Sequence, residues 1–387
     1  MGVRIASAIS GDWDARTAAR EAAAEVADAL RGDRADLVVV FACGAHLALA
    51  EDMLEAINQV LDPGALIGCG AGGVLAQGRE VEDGSAVTVW GAALDGGEVS
   101  AFHADVSELS DGAHAVVGLA DLEGASGLLL LPDPQTFPTD AVLEELGVRA
   151  PGIPVLGGLA SARSAEGGAL LFCGEHVHES GAVGACLRGV EMLPCVSQGA
   201  APMGPELTVT AAEGHVIQEL AGEPALLRLR EVFSSLGERE QALVAEGPLL
   251  GLVLDSGKPE YEQGDFLVRV LLGADPDTGA VAVGASVRAG QILRVHARDA
   301  TSAHRDLRDA LALRRQALGS QRPAGSLMFS CNGRGEAMFG RPDHDAELIA
   351  TQFSGAPCAG FFAAGEIGPV GGENHLHGFT ATVAVFP

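Results

Sequence analysis

One order of segments occurs more than once in this chain, and it restricts the fold more than any other feature. A buried strand is followed by a helix, a glycine-rich strand, a charged turn and a further strand. In the first copy DLVVVFACG (36–44) is an unbroken apolar run that reads as a fully buried strand. Leu47, Ala50, Leu54, Ile57 and Leu61 then fall at helical spacing, ALIGCGAGGVL (65–75) is the glycine-rich strand, and SAVTVWGAAL (85–94) closes the unit. The C-terminal copy runs GSLMFSCNGRG (325–335), a helical stretch from Asp345 to Phe353, PCAGFFAAGEIG (357–368) and GFTATVAVF (378–386). Cys43 and Cys331 both end a first strand, Cys69 and Cys358 both open a glycine segment, and the two separations differ by one residue.

A weaker third copy comprises GLLLLPDP (127–134), PTDAVLEELG (138–147) with Thr139 or Asp140 as helix cap, IPVLGGLAS (153–161) and GAVGACL (181–187). GPLLGLVLDSG (247–257) with GDFLVRVLLGADPDTGAVAVGASV (264–287) reads as the start of a fourth. Units of this length are too long for a solenoid and imply duplicated layers instead. The expected class is α/β, or mixed α+β: strand–helix–strand–strand units forming layered mixed sheets covered by helices. Two modules are expected, 1–221 and 222–387. Further helices are expected from Trp13 to Arg31, stopped by Gly32, from Glu223 to Leu236 with Pro224 in its first turn, and from Ser302 to Leu318, stopped by Gly319. Residues 198–220 read as a hairpin near the boundary.

Composition narrows the partners. The 387 residues carry 24 Lys plus Arg against 52 Asp plus Glu, a formal charge of -28, and the longest basic run is the pair Arg314–Arg315. Such a field repels nucleic acid and anionic membranes. No apolar run approaches the roughly 20 residues that span a bilayer, and the N-terminus lacks an apolar signal core, so a cytoplasmic protein is expected. The seven cysteines are an odd number and lie mostly in apolar runs, which favours core thiols over a disulfide framework.

Gly68, Gly70 and Gly73 have the G-x-G-x-x-G spacing of a dinucleotide site, but a charged turn and a strand follow where a helix is required. Close backbone approach is the alternative use of these glycines. SCNGRGEAMFG (330–340) places Cys331, Asn332, Arg334 and Glu336 in a glycine-bracketed turn after a buried strand, where side chains converge on a crevice. Arg334 suits a carboxylate, with a structural pair to Glu336 or Glu366 as the alternative. Glu366 lies between an apolar strand and a glycine, so a buried carboxylate there needs an arginine or a ligand cation. Arg79 and Glu80 follow the equivalent strand of the first copy.

His375 and His377 share a strand face without the clustered ligands of a zinc site, so no metal is expected. A haem needs one axial histidine, for which His377, His296 and His304 are candidates. No G-x-S-x-G elbow occurs, and no catalytic constellation is visible; Cys331 as a nucleophile lacks an identifiable base.

LIGCGAGGVLAQGREVEDG (66–84) and VLGGLAS (155–161), with GDFLVRVLLGADPDTGAVAVGASVRAGQ (264–291), FSCNGRG (329–335), GFFAAGEIGP (360–369) and LHGFTATVAVF (376–386), resemble the N-terminal and C-terminal modules of the FIST (F-box and intracellular signal transduction) family. The resemblance implies a sensory protein that binds a small ligand, an amino acid or similar metabolite, and signals through a separate partner. Some similar proteins are haem-binding nitric-oxide sensors, and a cysteine-dependent enzyme is the further alternative. No kinase, receiver or F-box segment is expected within these 387 residues, so any output is expected to pass through a separate protein or self-association. Matching the family pattern, Gly68, Gly73, Glu80, Gly157, Gly158, Cys331, Arg334, Gly365, Glu366 and Thr380 become candidate ligand-binding residues, beside Arg79, Asn332 and His377.

Overall fold

A computed structural model describes residues 3–108, 114–254, 258, 261, 264–319 and 321–387. By compactness the chain forms two units, one of Met1–Val196, Arg308–Leu376 and Ala381–Pro387, the other of Ser197–Leu307 with His377–Thr380. The division 1–221 and 222–387 cuts across these units, because the chain returns to the first unit after completing the second.

The first unit is built from three repeats. The first has a leading strand Leu37–Cys43, a helix Ala50–Leu61, a second strand Ala65–Ala71, a hairpin Val74–Ala76 and Arg79–Val81, and a closing strand Ala86–Ala93. The second has, in the same order, Ala125–Pro132, Thr139–Arg149, Val155–Gly158, Leu171–Cys173 with His176–His178, and Ala182–Arg188. The third has Gly325–Cys331, His344–Gln352, Cys358–Ala363, Glu366–Val370 with Glu373–His377, and Thr380–Phe386. In each repeat the leading strand is parallel to the second strand and antiparallel to the closing strand.

The hairpins are exchanged in a cycle. That of the first repeat pairs with the second strand of the third, that of the second with the first, and that of the third with the second. Three interlocked sheets result, each completed by chain from another repeat. One apolar cluster joins them, drawing Phe41 and Ile67 from the first repeat, Leu129 and Leu156 from the second, and Phe329 and Phe361 from the third. Phe41 lies 4.8 Å from Phe361 and 6.4 Å from Phe329, ring centre to ring centre. Aromatic pairs of this kind contribute about 0.5–1.5 kcal/mol beyond their buried area. The outer face of the first sheet is covered by Ala50–Leu61 and by Ala15–Leu30, whose alanines Ala18, Ala19, Ala22 and Ala23 are fully buried. Asp14 caps that second helix by accepting the Thr17 N–H at 2.8 Å.

A single steric demand recurs in all three second strands. A Cβ on Gly68 would lie 2.0 Å from Val40 O, on Gly157 1.8 Å from Leu130 O, and on Gly360 1.9 Å from Met328 O. Only glycine allows the second strand to come so close to the leading strand. This alignment makes Cys43, Asp133 and Cys331 equivalent, each three residues beyond the crowded carbonyl. It also corrects one expected match: Cys69 corresponds to Phe361, and Cys358 lies three residues earlier in the register.

The second unit is a closed antiparallel barrel of Ala200–Glu213, Val216–Leu220, Leu249–Val253, Phe266–Ala274, Val281–Val283 and Ile292–Arg298. Its core contains Leu207, Val209, Ile217, Leu250, Leu252, Leu293 and Val295. The stretches read as a fourth repeat belong here, joined antiparallel at Leu249↔Val270 to Val253↔Phe266 without a parallel neighbour. Residues 255–257 of that reading lie outside the described residues. Residues 198–220 do form a hairpin, inside this barrel.

Helices were legible to within a few residues: Ala225–Ser235 begins after Pro224, Ala300–Ala317 ends before Gly319, and His344–Gln352 starts one residue before Asp345. Thr139 opens its helix without capping it, Pro138 taking that position. The polar helix Glu238–Glu246 went unread because it buries little, Val244 being its fully covered residue.

Candidate functional site

The ends of the three second strands meet. Gly72 N–H donates to Ser161 Oγ at 2.9 Å, and Ser161 Oγ–H donates to Phe362 O at 2.5 Å. Leu159 N–H donates to Gly365 O at 2.8 Å, Ala364 N–H to Leu159 O at 3.0 Å, and Phe362 N–H to Gly73 O at 3.0 Å. A Cβ on Gly73 would lie 2.7 Å from Val81 O, and one on Gly158 2.8 Å from Ala363 Cβ, so glycine keeps this junction closed. Gly158 also pairs directly with Glu366 across the exchanged strand.

Beside the junction, the third repeat carries a buried charge cluster. Arg334, three residues beyond Cys331, is 1% exposed and grips Asp345 with two parallel bonds, Nε–H to Oδ2 at 2.6 Å and Nη2–H to Oδ1 at 2.9 Å. Ser330 Oγ–H adds a bond to Asp345 Oδ2 at 2.9 Å, and His344 Nδ1 lies 2.8 Å from Oδ1. Phe339 stacks on the His344 ring at 3.4 Å and lies under the guanidinium at 5.2 Å. Burial would raise the Asp345 carboxyl, but the Arg334 charge and the bonds from His344 and Arg334 hold it well below the usual carboxylate range. Burial likewise opposes the Arg334 charge, and Asp345 more than restores it, with Cys331 and Glu366 adding to the effect. Arg334 Nη1 has no hydrogen-bond partner among the described residues.

Glu80 reaches the same cluster from the exchanged hairpin of the first repeat. Its Oε1 accepts the N–H groups of Asp345 and Ala346, each at 2.9 Å, at the start of the helix His344–Gln352. Asp343 Oδ1 accepts the Glu80 N–H at 2.6 Å in return. Burial pushes the Glu80 carboxyl up to about 7; the Ala346 N–H opposes this, and the Asp345 and Glu82 charges reinforce it. Glu82 accepts the Glu336 N–H at 2.7 Å, and its carboxyl is raised chiefly by burial.

Aligned through their glycines, the repeats differ at two positions where the third repeat buries a charged side chain. Arg334 corresponds to His46 and Thr136, and Glu366, which opens its hairpin strand, corresponds to the apolar Val74 and Leu171. Glu366 is 0% exposed. The third repeat therefore introduces a cation and an anion where a packed copy does without them.

The candidate residues divide accordingly. Gly73, Glu80, Gly158, Cys331, Asn332, Arg334, Gly365 and Glu366 gather around the junction and cluster, with Asn332 exposed at its rim and Cys331 buried. Arg79 is exposed on the hairpin. Gly68 and Gly157 lie within their strands, where the third member of their set is Gly360 rather than Gly365. His377 and Thr380 belong to the second unit. Neither Glu336 nor Glu366 takes the bidentate face of Arg334; Asp345 does. An acidic residue in a first helical turn is ordinarily a dipole partner, so Asp345 carried no distinguishing sequence signal. His344, Ser330, Ser161 and Phe339 were missed for the same want of spacing.

Of the histidines considered for haem, His296 is fully buried, its ring against Gly251 and 4.8 Å from Phe266, with Nδ1 3.0 Å from Arg294 O. His304 is half-buried on Ala300–Ala317. Among the described residues no group of three or more His, Cys, Asp or Glu is arranged to hold a metal, and no helix is long and apolar enough to cross a membrane.

Residues 36–223 match the FIST N domain, and residues 225–369 match the FIST C domain. The chain is 43% identical over 385 residues to an uncharacterized protein of Mycobacterium bovis, covering 99% of each. It is 44% identical over 385 residues to an uncharacterized protein of Mycobacterium tuberculosis, covering 99% of this chain and 100% of that one.

Proposed function

The chain belongs to the FIST family, whose domains are associated with signal-transduction sensing, and from this we propose that it binds a small metabolite carrying an ammonium group, an amino acid above all. The ligand sits at the junction of the second strands, binding occurs without chemical turnover, and the output passes to a separate signalling protein. One observation carries the reading. The buried cation Arg334, the buried carboxylates Asp345 and Glu366 and the largely buried Glu80 lie together beside the junction.

A cluster of buried ionisable groups of this kind is a candidate place for a charged ligand. Glu366 occupies a position that is apolar in the other two repeats, so packing does not require a charge there, and a departure of that kind marks function rather than folding. The ammonium group of the ligand would pair with Glu366, and its carboxylate with the remaining N–H pair at Arg334 Nη1. Asn332 and Gly72 form the rim.

Isothermal titration calorimetry with the twenty amino acids and simple amines tests this reading. Binding by at least one of them is expected, weakened at least tenfold by Glu366→Gln while the melting temperature stays within a few degrees. Binding that Glu366→Gln leaves unchanged, or a panel without a single binder, refutes it.

A further inference from the structure

One cavity lies away from the strand-end junction. It holds about 880 Å³ between the C-terminal turn of Ala300–Ala317 and the end of the helix His344–Gln352. It opens beside Pro323, ahead of Gly325, whereas Arg334 lies past Cys331 at the other end of the same strand. The two places are therefore separate, and an occupant of one does not require the other.

The cavity is basic in a chain whose formal charge is -28. Arg315 and Arg322 both line it, and among the described residues neither is paired with a carboxylate or bonded to a carbonyl. The neighbouring arginines are engaged: Arg314 Nη2 donates to Pro194 O, and Arg308 Nε donates to Asp309 Oδ1 at 2.9 Å. That second pair neutralises Asp309, the carboxylate on the cavity wall. Gln316, Gln352 and Ser354 add amide and hydroxyl groups able to bond oxyanions, while Leu313, 68% exposed, and the buried Phe353 supply apolar surface.

The geometry points to a second ligand site in this cavity, for a small organic anion in which a carboxylate or phosphate group is joined to an apolar body. Arg315 and Arg322 would hold the oxyanion, in the bidentate manner that guanidinium groups favour. Leu313 and Phe353 would cover the body. The long-range field of the chain opposes any anion, so the affinity comes from these local contacts and persists at physiological salt, where the Debye length is about 8 Å.

The test uses the whole protein and the anionic dye 1-anilinonaphthalene-8-sulfonate, with inorganic phosphate and citrate as competitors. The expected result is one saturable dye site whose affinity falls at least tenfold in the double variant Arg315→Glu, Arg322→Glu, with an unchanged circular dichroism spectrum. Displacement by citrate alone identifies a carboxylate ligand, and displacement by phosphate alone identifies a phosphorylated one. Dye binding that the double variant retains, absence of a saturable site, or failure of both anions to displace the dye overturns the proposal.

Discussion

The two compact units bury titratable groups in opposite ways. In the three-repeat unit, Arg334, Asp345, Glu366 and Glu80 form a cluster in which Asp345 and Glu366 favour the Arg334 charge, and Glu80 is pushed up to about 7 by burial. In the barrel, His296 is buried alone against Gly251 and Phe266, and burial pushes it down to about 4, so that it is neutral in the folded state. The first arrangement holds charge inside the protein, whereas the second leaves its buried histidine neutral. A barrel that only needs to be stable can neutralise its buried base. A unit that keeps Arg334, Asp345 and Glu366 buried together is where the charged ligand is proposed to bind.

The largest expected effect tests the charged side of this contrast. Arg334→Met leaves Asp345 buried without its partner and should cost about 3–5 kcal/mol in urea unfolding. A loss below about 1 kcal/mol would mean that water reaches the pair and that the cluster is not a buried site.

The pH dependence sharpens the contrast further, because the two units should respond with opposite signs. Glu80 ordinarily titrates at 4.5 and in the fold at about 7, so the folded state holds the extra proton between these values, and its unit loses stability as pH rises through that window. His296 ordinarily titrates at 6.5 and in the fold at about 4, so the unfolded state holds the extra proton, and the barrel loses stability as pH falls through that window. At about 1.4 kcal/mol per pH unit, each effect is on the order of 3–4 kcal/mol. Hydrogen exchange followed unit by unit between pH 4.5 and 7 should show the two slopes crossing; Glu80→Gln should flatten the first and leave the second.

Smaller effects separate the glycines. Gly360→Ala places a methyl group 1.9 Å from Met328 O and should cost roughly 2–3 kcal/mol, with Gly68→Ala similar. Gly273 in the barrel has open space around it, so Gly273→Ala should change stability by less than about 1 kcal/mol. Equal losses at Gly360 and Gly273 in thermal melts would remove the close strand approach from the account of the repeats.

The same contrast explains what could be read from the sequence. The repeats were legible because each copy meets one steric and apolar demand in one order: a buried run, a helix, a crowded glycine, a closing strand. The exchange of hairpins was not legible, since Val74–Ala76 or Leu171–Cys173 would read identically if paired within its own repeat. The barrel was misread as a fourth repeat because Leu249–Val253 is apolar enough for a central strand of either kind, and only its neighbours make it antiparallel. Within the site, Arg334 stood out in a glycine-bracketed turn and Glu366 as a charge between an apolar strand and a glycine. Asp345 did not, because its pairing depends on how the helix His344–Gln352 meets the turn after Cys331, a tertiary fact without a spacing signature.

On the proposed reading, the proton that burial keeps on Glu80 up to about pH 7 in the empty site is released when the ammonium group of the ligand enters the cluster. Calorimetric titration of a binding amino acid at pH 6 and pH 7.5, in two buffers of different ionisation enthalpy, tests it directly. The account requires proton release on binding at pH 6 and an affinity that rises severalfold by pH 7.5. Binding with no proton exchanged and the same affinity at both pH values would contradict it.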